Sequence, residues 1–344
     1  MHKIKVISEI GSNHNGNIEL AKKMIDASIE CGADAVKFQT FKAEELVSVF
    51  APMAKYQKEN LGKTDSQIAM LKKLELSQDD YVELFAYAKE RGVEMFSTPF
   101  DIVSVDFLHS VGMKLWKIPS GEITNLPYLE HIAALDVEDK HIVLSTGMAS
   151  LEETKAAVAI LEKGCDHLTI MHCTTNYPAL DEDLNLEAIH QLQELFPNCD
   201  IGFSDHSAGI TASIVACGMG ITMIEKHFTL SKMLPGPDHK MSMDPAEMKA
   251  LCEGVRRAEL MLGARAKTVV ATERPNRVWA RKSIVARVPI AAGEVFTKEN
   301  LTTKRPGTGI SPMQWHELLG KTAEQDFAAD EMIRASGFDW IGAE

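Results

Sequence analysis

Eight short apolar runs in the first 230 residues each end in side chains that can do chemistry. The runs are Ile4–Ile10, Ala35–Gln39, Glu94–Ser97, Leu115–Ile118, His141–Ser145, Leu168–His172, Ile201–Ser204 and Thr222–His227. Glu9, Lys37 with Gln39, Ser97 with Thr98, Lys117 with Ser120, Ser145 with Thr146, His172, Ser204 with His206, and Glu225 with His227 stand at their C-terminal ends. Runs this short, separated by helix-length segments, read as parallel strands joined by helical crossovers. Eight of them predict an α/β fold, a closed (β/α)₈ TIM barrel, whose active site lies where the strands end. A barrel core explains the apolar runs. It does not explain lysines, histidines and glutamates gathered at one end.

At 344 residues the chain exceeds the usual single domain, so two domains are expected. A formal net charge of −13 argues against a nucleic-acid partner, which would need a basic footprint. A few converging lysines still allow a local anion site. Met1-His2-Lys3 runs straight into a strand-like segment, which predicts no signal peptide, and no run of apolar residues is long enough to suggest a membrane span. The six cysteines form no C-x-x-C pair and read as reduced thiols of a cytoplasmic protein.

Ile18, Ala21, Ile25 and Ile29 recur at helical spacing, and Cys31-Gly32 closes that segment. Similar patterns fill Asp79–Arg91, Leu151–Lys163, Leu186–Leu195 and Pro245–Leu262. The crossover from Phe41 to Glu90 is long, and its first half, with Pro52, Tyr56 and Gly62, lacks a clean period. It reads either as a functional lid or as a plain peripheral helix pair. These patterns place a catalytic domain over 1–265 and a linker over 266–282. A small domain over 283–340 begins where Ile284, Ala286 and Val288 alternate. Lys304-Arg305-Pro306-Gly307-Thr308-Gly309 reads as an exposed loop.

Lys37 and Gln39 are two apart, so on a strand they share a face. A lysine inside a barrel needs an anion, and Lys117 repeats the arrangement. With Thr98, Ser120, Ser145 and Ser204 nearby, the pair suits a small multiply charged anion; salt bridges to barrel glutamates are the competing reading. His206 and His227 end adjacent runs, and Glu225 shares the face of His227. Two imidazoles so placed suit either a divalent metal with open positions or plain hydrogen bonding. His172 and His14 are weaker candidates. Glu122, just past Ser120-Gly121, and Glu9 compete for the role of proton-transfer group.

The ordered motifs Glu9-Ile10-Gly11-Ser12-Asn13-His14, Val36-Lys37-Phe38-Gln39-Thr40, Phe96-Ser97-Thr98-Pro99, Lys117-Ile118-Pro119-Ser120-Gly121-Glu122, His172-Cys173-Thr174-Thr175-Asn176-Tyr177-Pro178, Ser204-Asp205-His206-Ser207, Glu225-Lys226-His227-Phe228 and Gly236-Pro237-Asp238-His239 resemble the bacterial sialic acid synthases over nearly the whole chain. The resemblance implies a TIM barrel followed by a small antifreeze-like (SAF, β-clip) domain. It also implies a homodimer in which each small domain caps the other barrel. It implies condensation of phosphoenolpyruvate with an N-acylated amino-hexose and release of phosphate. Lys37, Thr98, Lys117, Ser120, Ser145, Asn176 and Ser204 would then hold phosphoenolpyruvate, and His206 and His227 a divalent ion, Mn²⁺ with Mg²⁺ or Co²⁺ as substitutes. Glu122 would transfer the proton, with Glu9 as its rival. Glu9, Gln39, Tyr177, Glu225 and Asp238 would contact the sugar, and Arg305 would reach the site of the other copy. The sugar expected is N-acetylmannosamine. The alternative is the 6-deoxy diamino analogue that leads to N,N′-diacetyllegionaminate, and a precursor of pseudaminate fits less well.

Overall fold

The computed structural model describes residues 3–48, 50 and 66–339, in two compact units, Met1–Gly263 and Ala264–Glu344. Pro52, Tyr56 and Gly62, on which the lid reading rested, lie outside the described residues.

The first unit is a closed barrel of parallel strands in sequential order: β1 (Lys5–Gly11), β2 (Ala35–Thr40), β3 (Glu94–Pro99), β4 (Leu115–Ile118), β5 (His141–Ser145), β6 (His167–Cys173), β7 (Asp200–Ser204) and β8 (Met223–His227). β8 closes on β1 with Ile7 opposite Glu225 and Glu9 opposite His227. Both faces of these strands are covered, which is why they read as continuous apolar runs rather than alternating ones. Val36, Phe38, Trp116, Ile118, Ile170, Phe203 and Ile224 are fully buried members of the core cluster. The alternate positions Ile7, Ala35, Phe96, Val143 and Met171 are equally buried and fill the barrel. Gly202 lies opposite Met223, and a Cβ there would stand 3.2 Å from the Met171 methyl carbon, so the missing side chain makes room for methionine.

The crossover helices start and stop where the sequence codes for it. Asn17 accepts hydrogen bonds from the backbone of Glu19 and Leu20 at the start of helix Ile18–Cys31, and Gly32 ends it at φ 90°. Reciprocal capping boxes open the helices Gln78–Glu90 (Ser77 with Asp80), Leu151–Leu161 (Ser150 with Glu153) and Pro245–Leu262 (Asp244 with Glu247).

The second unit has its own core of Ile284, Ala286, Ile290, Phe296, Leu301, Ile310, Leu318, Phe327 and Ile333. β9 (Ser283–Ala286) pairs antiparallel with β10 (Leu301–Lys304). Three details depart from the sequence reading. Val288 does not continue the buried alternation and is 46% exposed. The segment read as a linker holds a helix, Arg274–Ala280, and belongs to the second unit. The loop read as exposed is only half so: Lys304, Arg305 and Pro306 face solvent, while Gly307 and Gly309 are buried. Gly307 donates its N–H to the carbonyl of Val278, and a Cβ there would lie 2.5 Å from that of Arg281, so the helix packs directly on the loop.

Candidate active site

A cavity of about 460 Å³ opens at the C-terminal ends of the barrel strands. Every strand supplies its last inward side chain to it: Glu9, Lys37 with Gln39, Thr98, Lys117, Ser145, Cys173, Ser204, and Glu225 with His227. The loops that follow add Ser120, Glu122, Thr175, Tyr177, His206 and Asp238.

At the floor, two lysines meet two glutamates. Lys37 Nζ lies 2.8 Å from Glu9 Oε2 and 3.7 Å from Glu225 Oε1, and Lys117 Nζ lies 3.0 Å from the same Glu225 oxygen. All four side chains are buried. Lys37 also donates to Thr98 Oγ1 at 3.0 Å, Ser204 Oγ donates to Glu225 Oε1 at 3.2 Å, and Gln39 Nε2 donates to Glu9 Oε1 at 3.0 Å. The glutamate salt bridges weighed against a free anion site are therefore both formed. Glu225, expected at the sugar, lines the cavity between the two lysines, its inward position on β8 level with Ser204 on β7. Burial raises the Glu9 carboxyl above its ordinary range against the pull of Lys37. Burial acts on Glu225 too, but Lys117 and Lys37 together overcome it and hold that carboxyl down. Ser145 Oγ is buried in this floor without a hydrogen-bond partner.

The imidazoles of His206 and His227 also line the cavity, His227 beside Glu9 across the β1–β8 pairing. The rings of His206 and His227 stand 5.5 Å apart, and Tyr177 lies 4.2 Å from the first and 5.8 Å from the second. His206 Nδ1 donates to the Thr174 carbonyl at 2.7 Å, which fixes its tautomer and leaves Nε2 as a lone pair. His227 Nδ1 is buried with no partner. Burial lowers His206 to about 4 and drives His227 well below the usual range, so both rings are neutral at pH 7. No third His, Cys, Asp or Glu completes a metal cluster with them among the described residues. The pair therefore fits a two-histidine site whose other positions go to water or substrate, since neutral imidazoles with a free nitrogen are what a divalent ion needs.

Glu122 sits at the rim on a single 3₁₀ turn, Ser120–Glu122, and accepts from Asn125 Nδ2 at 2.6 Å. Asn176 does not join the site: it is exposed, because Thr175 and Tyr177 turn inward and the residue between them turns out. Arg305 lies exposed in the second unit. Neither of the two weaker histidines lines the cavity. His172 points outward, stacks on Phe203 and pairs with the Leu184 carbonyl at 2.7 Å. His14 is buried against Phe38 and accepts from the Gly16 N–H. Sequence reasoning chose His172 and missed its neighbour Cys173, which lines the cavity. Alternation counted back from Ser204 across the β6–β7 pairing, where Cys173 faces Ser204, would have found it.

Asp238 is half-buried, with Oδ1 fully buried and unpaired, and burial pushes its carboxyl up to about 6 against a hydrogen bond from Ser12. A carboxyl raised in the folded state is most favourable while protonated. Its cost appears as pH rises through the ordinary aspartate value near 4 and is complete above about 6. Asp238→Asn removes that cost. Its stability gain over wild type in urea titrations is expected to grow from near zero at pH 4 to about 2 kcal/mol at pH 7.5. A gain equal at both pH values would show that Asp238 carries no buried charge.

Residues 24–267 match the NeuB family and residues 281–339 the SAF domain. The N,N′-diacetyllegionaminic acid synthase of Campylobacter jejuni is 46% identical over 97% of this chain and 100% of its own length. That of Legionella pneumophila is 45% identical over 94% of this chain and 91% of its own. Among solved structures, an N-acetylneuraminic acid synthetase from Leptospira borgpetersenii superposes with a TM-score of 0.69 at 30% identity, covering 79% of this chain and 90% of the other. The chain belongs to the NeuB family, the bacterial sialic acid synthases. Both of these relatives are named for legionaminic acid, the product of the alternative sugar, rather than for neuraminic acid.

Proposed function

We propose that this enzyme condenses phosphoenolpyruvate with the N-acylated 6-deoxy diamino analogue of mannosamine, giving N,N′-diacetyllegionaminate and phosphate. The observation that carries the reaction class is one cavity that joins two buried lysines, a neutral imidazole pair and rim carboxylates at barrel strand ends. The choice of sugar draws on the two legionaminic relatives and on the cavity wall. Phe41, Met70, Leu71, Leu74 and Phe100 line one side of it. A sugar with a methyl in place of a hydroxymethyl suits such a wall, where a hydroxyl would be buried without a partner.

In this reading Lys37, Lys117, Ser120, Ser145 and Ser204 bind the carboxylate and phosphate of phosphoenolpyruvate. Asn176, turned to solvent, takes no part. The enol C3 attacks the sugar aldehyde, water adds at C2, and phosphate leaves by C–O cleavage while the lysines stabilise its charge. Glu122 is the proton-transfer group because it stands at the rim, clear of any lysine pair, whereas Glu9 is engaged by Lys37 and Gln39. Gln39, Tyr177 and Asp238 orient the sugar. His206 and His227 would hold a divalent ion, Mn²⁺ by family resemblance, which would supply Lewis-acid polarisation of the sugar carbonyl. A homodimer, with the SAF domain and Arg305 capping the barrel of the other copy, belongs to the same reading; a single-chain mass in sedimentation would remove that part.

Phosphate release with each sugar tests the proposal. The 6-deoxy diamino sugar is expected to exceed N-acetylmannosamine at least tenfold in kcat/KM, the scale of discrimination that a mismatched pocket group gives. Equal or better use of N-acetylmannosamine would restore the first expectation. No phosphate from either would remove the assignment.

A further inference from the structure

A second buried ion pair lies beside the two histidines but outside the cavity. Lys226 Nζ contacts Asp205 Oδ2 at 2.9 Å and donates to the carbonyl of Ser207 at 2.7 Å. Asp205 takes three further hydrogen bonds: Oδ1 accepts from the Ser207 backbone N–H at 2.8 Å and its hydroxyl at 2.6 Å, and Oδ2 accepts from Ser213 Oγ at 2.6 Å. Asp205 and Lys226 are 1% and 3% exposed, and Ser207 and Ser213 are buried with them. Neither charge lines the cavity.

The connectivity is what matters. His206 lies between Asp205 and Ser207, and Lys226 grips both of its neighbours with one ammonium. Lys226 is itself the residue before His227. One side chain thus ties the loop after β7, on both sides of one imidazole, to the strand residue next to the other. Backbone bonds fix the same frame from behind: Asp205 N–H donates to the Glu225 carbonyl at 2.9 Å, and Met243 N–H to the His227 carbonyl at 2.8 Å. A buried ion pair replaced by apolar groups is often neutral for stability, so stability alone gives no reason for a charged pair here.

We propose that Asp205 and Lys226 are positioning residues that set the separation of His206 and His227 for a divalent ion. This rests on the two-histidine metal reading above. Partners that orient metal ligands without touching the ion typically change affinity ten- to a hundredfold when removed. Lys226→Met keeps length and loses both grips. The double variant Asp205→Asn/Lys226→Met leaves no lone buried charge and carries the measurement if the single one does not fold.

The experiment is Mn²⁺ titration of the full-length, substrate-free protein by electron paramagnetic resonance, with Leu161→Ala as control. Leu161 is a buried core residue on the helix after β5 whose truncation destabilises the barrel without touching the pair. The variants are expected to bind Mn²⁺ at least tenfold more weakly than wild type, and Leu161→Ala within twofold of it. Wild-type affinity in the folded double variant overturns the inference while leaving the metal site in place. The same holds if Leu161→Ala weakens binding as much. A wild-type protein that binds no Mn²⁺ removes the two-histidine site and the inference together.

Discussion

His227→Ala is expected to lower kcat about a thousandfold or more and to weaken phosphoenolpyruvate binding as well. On the proposed metal reading, the first effect follows from losing one of the cavity's two imidazoles, since Lewis-acid polarisation of a carbonyl is worth several kcal/mol and each 1.36 kcal/mol is tenfold in rate. The second follows from the charge of the floor. Lys37 and Lys117 are offset one for one by Glu9 and Glu225, so the cavity floor carries no surplus positive charge of its own while both carboxyls are ionised. In that state a ligand with both a phosphate and a carboxylate draws on a further cation nearby. Chelation of wild type should therefore mimic the mutation in a substrate-binding isotherm. If His227→Ala kept wild-type turnover after chelation, the metal reading would fail.

Much of this site was legible in the sequence because barrel strands obey a simple geometry. The strand-end residues Glu9, Lys37, Thr98, Lys117, Ser145, Ser204 and His227 all line one cavity, as the topology of a closed parallel barrel demands. What periodicity cannot give is who pairs with whom. Glu225 and Lys117 are 108 residues apart, and their bond depends on barrel stagger, which no local pattern encodes. Loop residues were the other weak point. Asn176, expected from the family resemblance alone, is turned out and Thr175 in by a local backbone path that strand alternation does not reach. His172 has a ligand-type side chain but stands one position before the inward Cys173, so alternation points it away from the cavity. In the second unit the helix Arg274–Ala280 was hidden by Pro275, which reads as a breaker but sits in the first turn, where a missing N–H costs nothing.

Lys117→Met and Glu225→Gln, singly and together, separate the two things this ion pair does. Lys117 is the nearest cation to Glu225, at 3.0 Å, with Lys37 further off at 3.7 Å. Lys117→Met leaves a buried carboxylate short of a partner, so the free protein is expected to lose about 3 kcal/mol of stability in urea titrations. On the proposed assignment it also removes a phosphate or carboxylate ligand, a charge-assisted contact of roughly 1.5–3 kcal/mol, so phosphoenolpyruvate affinity should fall tenfold or more. Adding Glu225→Gln to that chain neutralises the stranded charge. Stability should return to within about 1 kcal/mol of wild type, while phosphoenolpyruvate binding stays poor because the lysine is still gone. Glu225→Gln alone has the opposite sign for the ligand. It frees both ammoniums from an internal competitor, so phosphoenolpyruvate should bind more tightly. On the proposed phosphoenolpyruvate site, the buried carboxylate acts as an occupant that the substrate must displace, and the three variants test that in one denaturation series and one set of isotherms. If the double variant regained both stability and affinity, Lys117 would be a structural partner of Glu225 alone, and the anion would have to bind elsewhere.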